Sequence, residues 1–127
     1  MAKFELFRDI NVVSYPVFDW ERAKTFYGQT LGLGAPSFCA DEVGWCEWGG
    51  ENETHFAISR QDAPPAQSEG GALVVFGVID AHAVVADLRM RGVKCDDPIG
   101  IPGMVTYATF YDPEGNQLQL AGMPPTQ

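Results

Sequence analysis

The sequence is short of basic residues. Eight Lys and Arg stand against seventeen Asp and Glu, which gives a formal net charge of -9. The acidic residues are spread along the whole chain, so their field would repel a phosphate backbone, and we expect no nucleic-acid partner. The same field favours a neutral or cationic ligand over a polyanion.

Long apolar runs are also missing, since no stretch approaches the roughly 20 residues that a membrane-spanning helix needs. The first ten residues, MAKFELFRDI, contain no apolar segment that ends in a small-residue cleavage site. We therefore expect no association with a membrane and a cytoplasmic location.

Cysteine is scarce, and the three that are present form neither a CxxC pair nor an even-numbered disulfide framework. A chain of 127 residues buries enough surface to fold without covalent staples. We expect Cys39, Cys46 and Cys95 to be reduced and to serve in packing. Phosphate-binding glycine loops and serine-hydrolase elbows are missing as well, so no cofactor motif is recognised.

What the chain does have is an ordinary globular composition, with 46% apolar and 20% charged residues, which predicts one domain over residues 1–127. The first part, residues 4–60, has the order strand, helix, strand, strand, strand. Pro16 should end the first strand, and Asp19 should cap a helix of about three turns that stops near Gly32. The predicted strands are Phe4–Tyr15, Ser37–Ala40, Val43–Trp48 and Thr54–Arg60.

Residues 61–71, QDAPPAQSEGG, form a predicted linker of Pro, Gly and polar residues. The same order of elements then recurs over residues 72–122. Asp80 caps a second predicted helix, which Gly92 stops, and Asp112 opens the last predicted turn. The predicted strands here are Ala72–Val78, Val93–Cys95, Met104–Tyr111 and Asn116–Ala121.

The two parts match residue by residue as well as in order. At an offset of 61, Val17-Phe18-Asp19 falls on Val78-Ile79-Asp80, and at an offset of 62 Trp45 falls on Tyr107. At the offset of 61, Phe26 falls on Asp87, which is a mismatch. Because one small insertion aligns helix cap, helix stripe and hairpin, we interpret the chain as an internal duplication of a βαβββ module.

Two segments resemble the signature segments of the glyoxalase/bleomycin resistance protein/dioxygenase superfamily, also called the vicinal-oxygen-chelate superfamily. They are VFDWERAKTFYGQTLGLG, residues 17–34, and FYDPEGNQLQL, residues 110–120. The resemblance implies an α+β fold in which two βαβββ modules form a curved, mixed, eight-stranded sheet around a cup-shaped pocket, with the helices outside. It does not imply one activity, because the family includes metal-dependent enzymes and metal-free binding proteins.

The resemblance also implies where a metal would be held, at one position on the first strand and one on the last strand of each module. Those positions are occupied here by Val12, Ala57, Leu73 and Gln119. Three apolar side chains and one amide are unsuitable ligands for a catalytic divalent ion. We therefore expect no metal and no other cofactor.

Side chains that share strand parity with those four positions should line the pocket. Together with the positions at which family members contact ligand, this parity predicts a ligand-binding set of Ser14, Trp45, Tyr107, Thr109, Gln117 and Gln119. Trp45 and Tyr107 are suited to enclose a flat or cationic group, or else they fill the cup themselves. The same parity turns Cys46 away from the pocket and into the core.

Glu47 and His55 flank the first hairpin turn and should lie within hydrogen-bonding distance of each other. Such a pair can act as a catalytic acid and base, as a structural ion pair, or as a pair that orients a ligand. His82, early in the second helix, is assigned to the solvent-exposed side.

Three functional hypotheses follow. The first is a metal-independent protein that binds and sequesters a small organic compound, as bleomycin-resistance proteins do. The second is a lyase or isomerase that uses Glu47 and His55, with or without a divalent metal at unusual positions. The third is a dimeric interaction module whose cup is filled by its own side chains. In each case we expect a homodimer, either swapped or unswapped, because each module has an open sheet edge.

Overall fold

A computed structural model describes residues 5–6, 10–63 and 73–126 of the chain. The chain divides into two compact units, Met1–Ala66 and Gln67–Gln127, which we call unit 1 and unit 2. Most of the predicted linker, from residue 64 onward, lies outside the described residues, and so does the first part of the strand predicted to begin at Phe4. The module bounds 4–60 and 72–122 stay predictions.

Unit 1 has the predicted order of one strand, one helix and three strands. Its elements are β1 (Val12–Val17), α1 (Trp20–Thr25), β2 (Phe38–Ala40), β3 (Trp45–Trp48) and β4 (His55–Arg60). The strands form one sheet in the order β1-β4-β3-β2, in which β1 runs parallel to β4 and the other neighbours are antiparallel.

Unit 2 repeats this plan with one more strand. Its elements are β5 (Val75–Gly77), α2 (Ala81–Met90), β6 (Lys94–Cys95), β7 (Ile99–Ile101), β8 (Val105–Tyr111) and β9 (Gln117–Gly122). The order is β5-β9-β8-β6, with β5 parallel to β9, and β7 pairs with the first half of β8 while β6 pairs with its second half. The edge that β2 covers in unit 1 is thus covered here by two short strands.

The pairing registers confirm the duplicated βαβββ modules and the α+β class. Trp45 pairs with Ser59 in unit 1, and the residues 62 positions later, Tyr107 and Ala121, pair with each other in unit 2. Both helices begin at the predicted caps: the Asp19 carboxylate accepts a hydrogen bond from the Arg22 amide, and the Asp80 carboxylate accepts one from the Ala83 amide. The four-stranded and the five-stranded sheet are both open rather than closed barrels.

The first helix differs from the three-turn helix that the sequence predicted. The α-helix ends at Thr25 and continues as a wider π-type turn over Phe26–Thr30, in which the Leu31 amide donates to the Phe26 carbonyl at 2.7 Å. Phe26 and Tyr27 are both buried here, and the Tyr27 ring lies 4.9 Å from that of Phe56 and 6.1 Å from that of Trp48. The wider turn lets two consecutive aromatic residues contribute to one core.

Pro16 does not end the first strand, as the sequence had suggested, because it lies inside β1 opposite Ser59. The reason is that β1 is an edge strand of its sheet, where a missing backbone N–H is tolerated. β7 was not predicted at all, since its three residues lie between Pro98 and Pro102 and read as a loop.

Each sheet has one face packed against its own helix. In unit 2, α2 contacts β8 and β9, and its residues Ala81, Val85 and Leu88 are buried together with Phe110, Leu118 and Leu120. Within the described part of the chain, no helix is both long enough and apolar enough to cross a membrane.

Candidate functional site

Strand register decides which side chains share the face of the first sheet that points away from α1. Val12 pairs with His55, Ser14 with Ala57, and Ala57 in turn with Glu47, so these side chains lie on one face. Trp45, two residues before Glu47, joins them. We call this set the open face of unit 1: Val12, Ser14, Trp45, Glu47, His55 and Ala57.

A chain of hydrogen bonds links three side chains on this open face. The Trp45 indole Nε1 donates to Glu47 Oε2 at 2.7 Å, and His55 Nδ1 lies 2.7 Å from Glu47 Oε1. On its other side, His55 Nε2 lies 2.9 Å from the Gly50 carbonyl oxygen. About a quarter of each side chain in the pair remains accessible, with 24% for His55 and 23% for Glu47. The structure therefore brings Glu47 and His55 together as the sequence predicted.

The partners of the imidazole decide its protonation. A carbonyl oxygen can only accept a hydrogen bond, so His55 Nε2 must carry a proton, and the ionised Glu47 carboxylate requires one on Nδ1 as well. The Gly50 carbonyl, and after it the Glu47 carboxylate, raise the pKa of His55. The hydrogen bond from Trp45, and after it that from His55, lower the pKa of Glu47. The pair is therefore an internally neutralised ion pair.

This arrangement limits what the pair can do chemically. A general base needs a free lone pair directed at its substrate, but both imidazole nitrogens donate to protein acceptors. Glu47 is a weak base for a different reason, because the hydrogen bonds that its two oxygens accept from Trp45 and His55 lower its pKa. The geometry suits a rigid surface that holds the Trp45 ring in place.

In unit 2 the register likewise places the predicted residues on one face, the one that points away from α2. Tyr107 pairs with Ala121, Thr109 with Gln119, and Tyr111 with Gln117, and the Gln119 amide nitrogen donates to Thr109 Oγ1 at 3.2 Å. Val75 and Ile99 share this face and are about half exposed, at 51% and 52%. We call it the open face of unit 2.

Trp45 and Tyr107 belong to different units, so the sandwich between them stays a prediction, as does the ligand-binding role of both open faces. Val12 and Ala57 share the open face of unit 1, and Gln119 lies on that of unit 2. Across residues 5–6, 10–63 and 73–126, no cluster of three or more His, Cys, Asp or Glu could hold a metal ion. His82 is exposed and lies far along the chain from the other histidine.

A groove that the sequence did not reveal lies on the opposite face of the first sheet. It has a volume of about 590 Å³ and is lined from the helix side by Lys24 and Gln29 and from the sheet side by Cys39, Cys46 and Trp48. The Asp41 carboxylate, just beyond β2, accepts hydrogen bonds from Trp20 Nε1 and Lys24 Nζ, both at 2.7 Å. The sequence feature that could have indicated this groove is the pair of cysteines, Cys39 and Cys46, on either side of the turn, to which the sequence assigned a packing role.

Comparison with known proteins agrees with this architecture. The family model of the Glyoxalase/Bleomycin resistance protein/Dioxygenase superfamily matches residues 9–120. Among solved structures, TnmS3, an antibiotic binding protein from Streptomyces sp. CB03234, is 28% identical with a TM-score of 0.73, covering 96% of this chain and 100% of that one.

A glyoxalase/bleomycin resistance protein from the same Streptomyces strain is 31% identical with a TM-score of 0.64, covering 88% of this chain and 98% of that one. A glyoxalase/bleomycin resistance protein from Catenulispora acidiphila, 24% identical with a TM-score of 0.67, covers 91% and 100% and shares the fold. Among curated proteins, none matches the chain significantly.

Proposed function

We propose that this chain, which belongs to the glyoxalase/bleomycin resistance protein/dioxygenase superfamily, binds and sequesters a small, neutral, partly aromatic organic compound. The observation that carries the proposal is the open face of unit 1. There Glu47 accepts a hydrogen bond from Trp45, and the charges of Glu47 and His55 neutralise each other. Such a surface offers a flat aromatic contact without a free base or a free charge.

The pairing of Glu47 with His55 narrows the ligand class. Net charge alone allows a cationic ligand, but a cation would have to displace His55 from the carboxylate to reach it. A neutral ligand needs no such exchange. On the open face of unit 2, the hydroxyl and amide groups of Tyr107, Thr109 and Gln119 supply donors and acceptors that suit the oxygens of a neutral compound. The antibiotic binding named for TnmS3 supports a small organic ligand.

Metal independence is part of the proposal. It is supported by the residue types at the positions where the family's enzymes carry ligands, namely Val12, Ala57, Leu73 and Gln119. Binding should therefore be unchanged after treatment with a chelator. A stoichiometric divalent ion in protein purified without chelator, lost together with ligand affinity, would contradict this.

Calorimetric titration with a panel of neutral aromatic antibiotics, and with bleomycin as the cationic comparison, tests the proposal. We expect at least one neutral compound to bind with micromolar affinity and Trp45→Ala to weaken that binding about tenfold, the equivalent of roughly 1.4 kcal/mol. Val43→Ala is the matched control, since Val43 is an exposed apolar residue in the turn before β3. Tighter binding of bleomycin than of every neutral compound would refute the ligand class.

The second candidate, a lyase or isomerase that uses Glu47 and His55, is favoured only by the short contact between them. An activity screen with glyoxalase-type and epimerase-type substrates distinguishes it from binding. Turnover that Glu47→Gln and His55→Ala both abolish would establish the enzyme. Ligand binding without turnover would support sequestration.

We propose a homodimer as the assembled form, because β1 and β5 stand at the ends of their sheets within the described residues, and edge strands favour pairing with another chain. Light scattering at micromolar concentration should give twice the chain mass, whereas a well-folded protein of monomeric mass would exclude the dimer. A cytoplasmic location agrees with the three free thiols Cys39, Cys46 and Cys95. Cell fractionation tests it.

A further inference from the structure

Cys39 and Cys46 face each other directly across the antiparallel strands β2 and β3. The Arg60 amide donates to the Gly44 carbonyl, so the backbone groups of Gly44 point toward β4. Because these groups point to alternate sides along an antiparallel strand, those of Cys46, two residues later, also point toward β4. The Glu47 carbonyl accordingly points the other way, toward β2, and accepts from the Ser37 amide at 2.8 Å. Cys39 and Cys46 are therefore a non-hydrogen-bonded pair.

Non-hydrogen-bonded pairs bring side chains closest together in an antiparallel sheet. Their Cα atoms lie about 4.5 Å apart, and disulfides accept Cα separations of about 4.4 to 6.8 Å. Their side chains also project from the same face of the sheet. β2 is a three-residue edge strand and can adjust by the small distance that a covalent bond requires.

The two thiols differ sharply in environment, which assigns them different roles. Cys39 is exposed, whereas the Cys46 side chain is fully buried. Burial, and after it the hydrogen bond with Cys39, raise the pKa of Cys46 to about 12. Cys39 is thus the thiol that reacts first with a reagent from solvent, and Cys46 is the neighbouring resolving thiol. Both line the 590 Å³ groove, whose volume far exceeds that of a small oxidant.

We propose that Cys39 and Cys46 are a redox modification site that hydrogen peroxide converts reversibly into an intramolecular disulfide. The Cys39 thiolate attacks one peroxide oxygen and breaks the O–O bond, which yields a sulfenic acid and one water after protonation. The Cys46 sulfur then attacks the Cys39 sulfur and displaces the hydroxyl group as a second water. Two thiols thereby lose two electrons and two protons to one peroxide.

The site is independent of the proposed ligand binding, because the thiols project from the face of the first sheet opposite Trp45 and Glu47. Reduction begins at the exposed Cys39 sulfur, where a small dithiol can reach the bond. The buried neighbour also protects Cys39 from irreversible oxidation, since the resolving thiol competes with further peroxide.

Mass spectrometry of the intact protein tests the site directly. Full-length wild type treated with hydrogen peroxide should lose about 2 Da, the mass of two hydrogen atoms, and dithiothreitol should restore it. After denaturation and alkylation, the tryptic peptide over residues 25–60, which contains both cysteines, should carry no alkyl group, while the Cys95 peptide should be alkylated. Sulfinic acid on Cys39 with Cys46 still alkylatable would overturn the proposal, as would a disulfide that includes Cys95.

Variants assign the two roles. In Cys46→Ala the Cys39 sulfenic acid should persist and be trapped by dimedone, whereas wild type should show at least tenfold less adduct. Cys95→Ser is the matched control and should form the disulfide like wild type. Equal dimedone labelling of wild type and Cys46→Ala would overturn the resolving role. Should Cys46→Ala fail to fold, the wild-type mass and alkylation pattern still decides the proposal.

Discussion

Replacing Gly49 with alanine should displace the His55 ring from both of its hydrogen-bond partners. Gly49 has a φ of 154°, and a Cβ atom there would lie 2.7 Å from His55 Cγ and closer still to Cδ2. Carbon atoms in contact prefer separations of about 3.5 to 4.0 Å, so the ring must move by about 1 Å. It is held between Glu47 and the Gly50 carbonyl at 2.7 Å and 2.9 Å, and such a shift breaks both bonds.

The expected cost has a backbone part and a side-chain part. An alanine held at the positive φ of Gly49 is strained by about 1–3 kcal/mol, and the broken hydrogen bonds add to this value. Because the two largest causes that raise the pKa of His55, its hydrogen bonds with the Gly50 carbonyl and the Glu47 carboxylate, are removed, that pKa should fall toward its ordinary value. We expect Gly49→Ala to lower the free energy of unfolding by at least about 1 kcal/mol.

Urea denaturation measures the stability, and an NMR titration of the His55 ring measures its pKa, with His82→Gln used to assign the two histidines. Gly77→Ala is the matched control, because Gly77 lies in β5 and its Cβ would meet no atom within 4 Å. Its free energy of unfolding should change by less than about 0.5 kcal/mol. A Gly49→Ala protein with wild-type stability and an unchanged His55 pKa would refute the described ring position.

Three further predictions concern stability. The difference in the free energy of unfolding between wild type and Glu47→Gln should be largest between pH 4.5 and 6.5, the ordinary pKa values of the two groups. It should fall at higher pH as His55 deprotonates through its raised pKa, and at lower pH as Glu47 protonates through its lowered pKa; a flat profile would contradict the ion pair. Tyr27→Ala removes a fully buried ring that packs on Phe56 and should cost about 3–5 kcal/mol in urea denaturation, and a loss below about 1 kcal/mol would exclude its core role. The Asp112 carboxylate accepts from the amides of residues 114 and 116, so Asp112→Ala should cost about 1–3 kcal/mol and speed hydrogen exchange in that turn, whereas unchanged exchange would count against these bonds.

Local chemistry was sufficient to predict much of the fold. Asp19 and Asp80 were recognised as caps because a carboxylate before an apolar stripe satisfies free amides of the helix, and both accept the expected bond. Alternation of side chains along strands grouped Trp45 with Glu47 and His55 when it was combined with the repeat offset and with the ligand positions that the family resemblance implies. The same alternation correctly directed Cys46 into the core.

Contacts between distant segments decided the rest. The sequence around Pro16 is compatible with a strand end, and only the sheet order shows that β1 is an edge strand in which a proline is tolerated. The strand β7 likewise depends on a distant segment, because it pairs with the first half of β8. The position of the second acceptor of His55, the Gly50 carbonyl, depends on the conformation of the hairpin turn. Because this carbonyl and Glu47 occupy both imidazole nitrogens, the two side chains form an ion pair rather than an acid and base. Likewise, Cys39 and Cys46 became a pair only through the register of β2 on β3, because side-chain pattern determines the face of a strand but not its register against a neighbour.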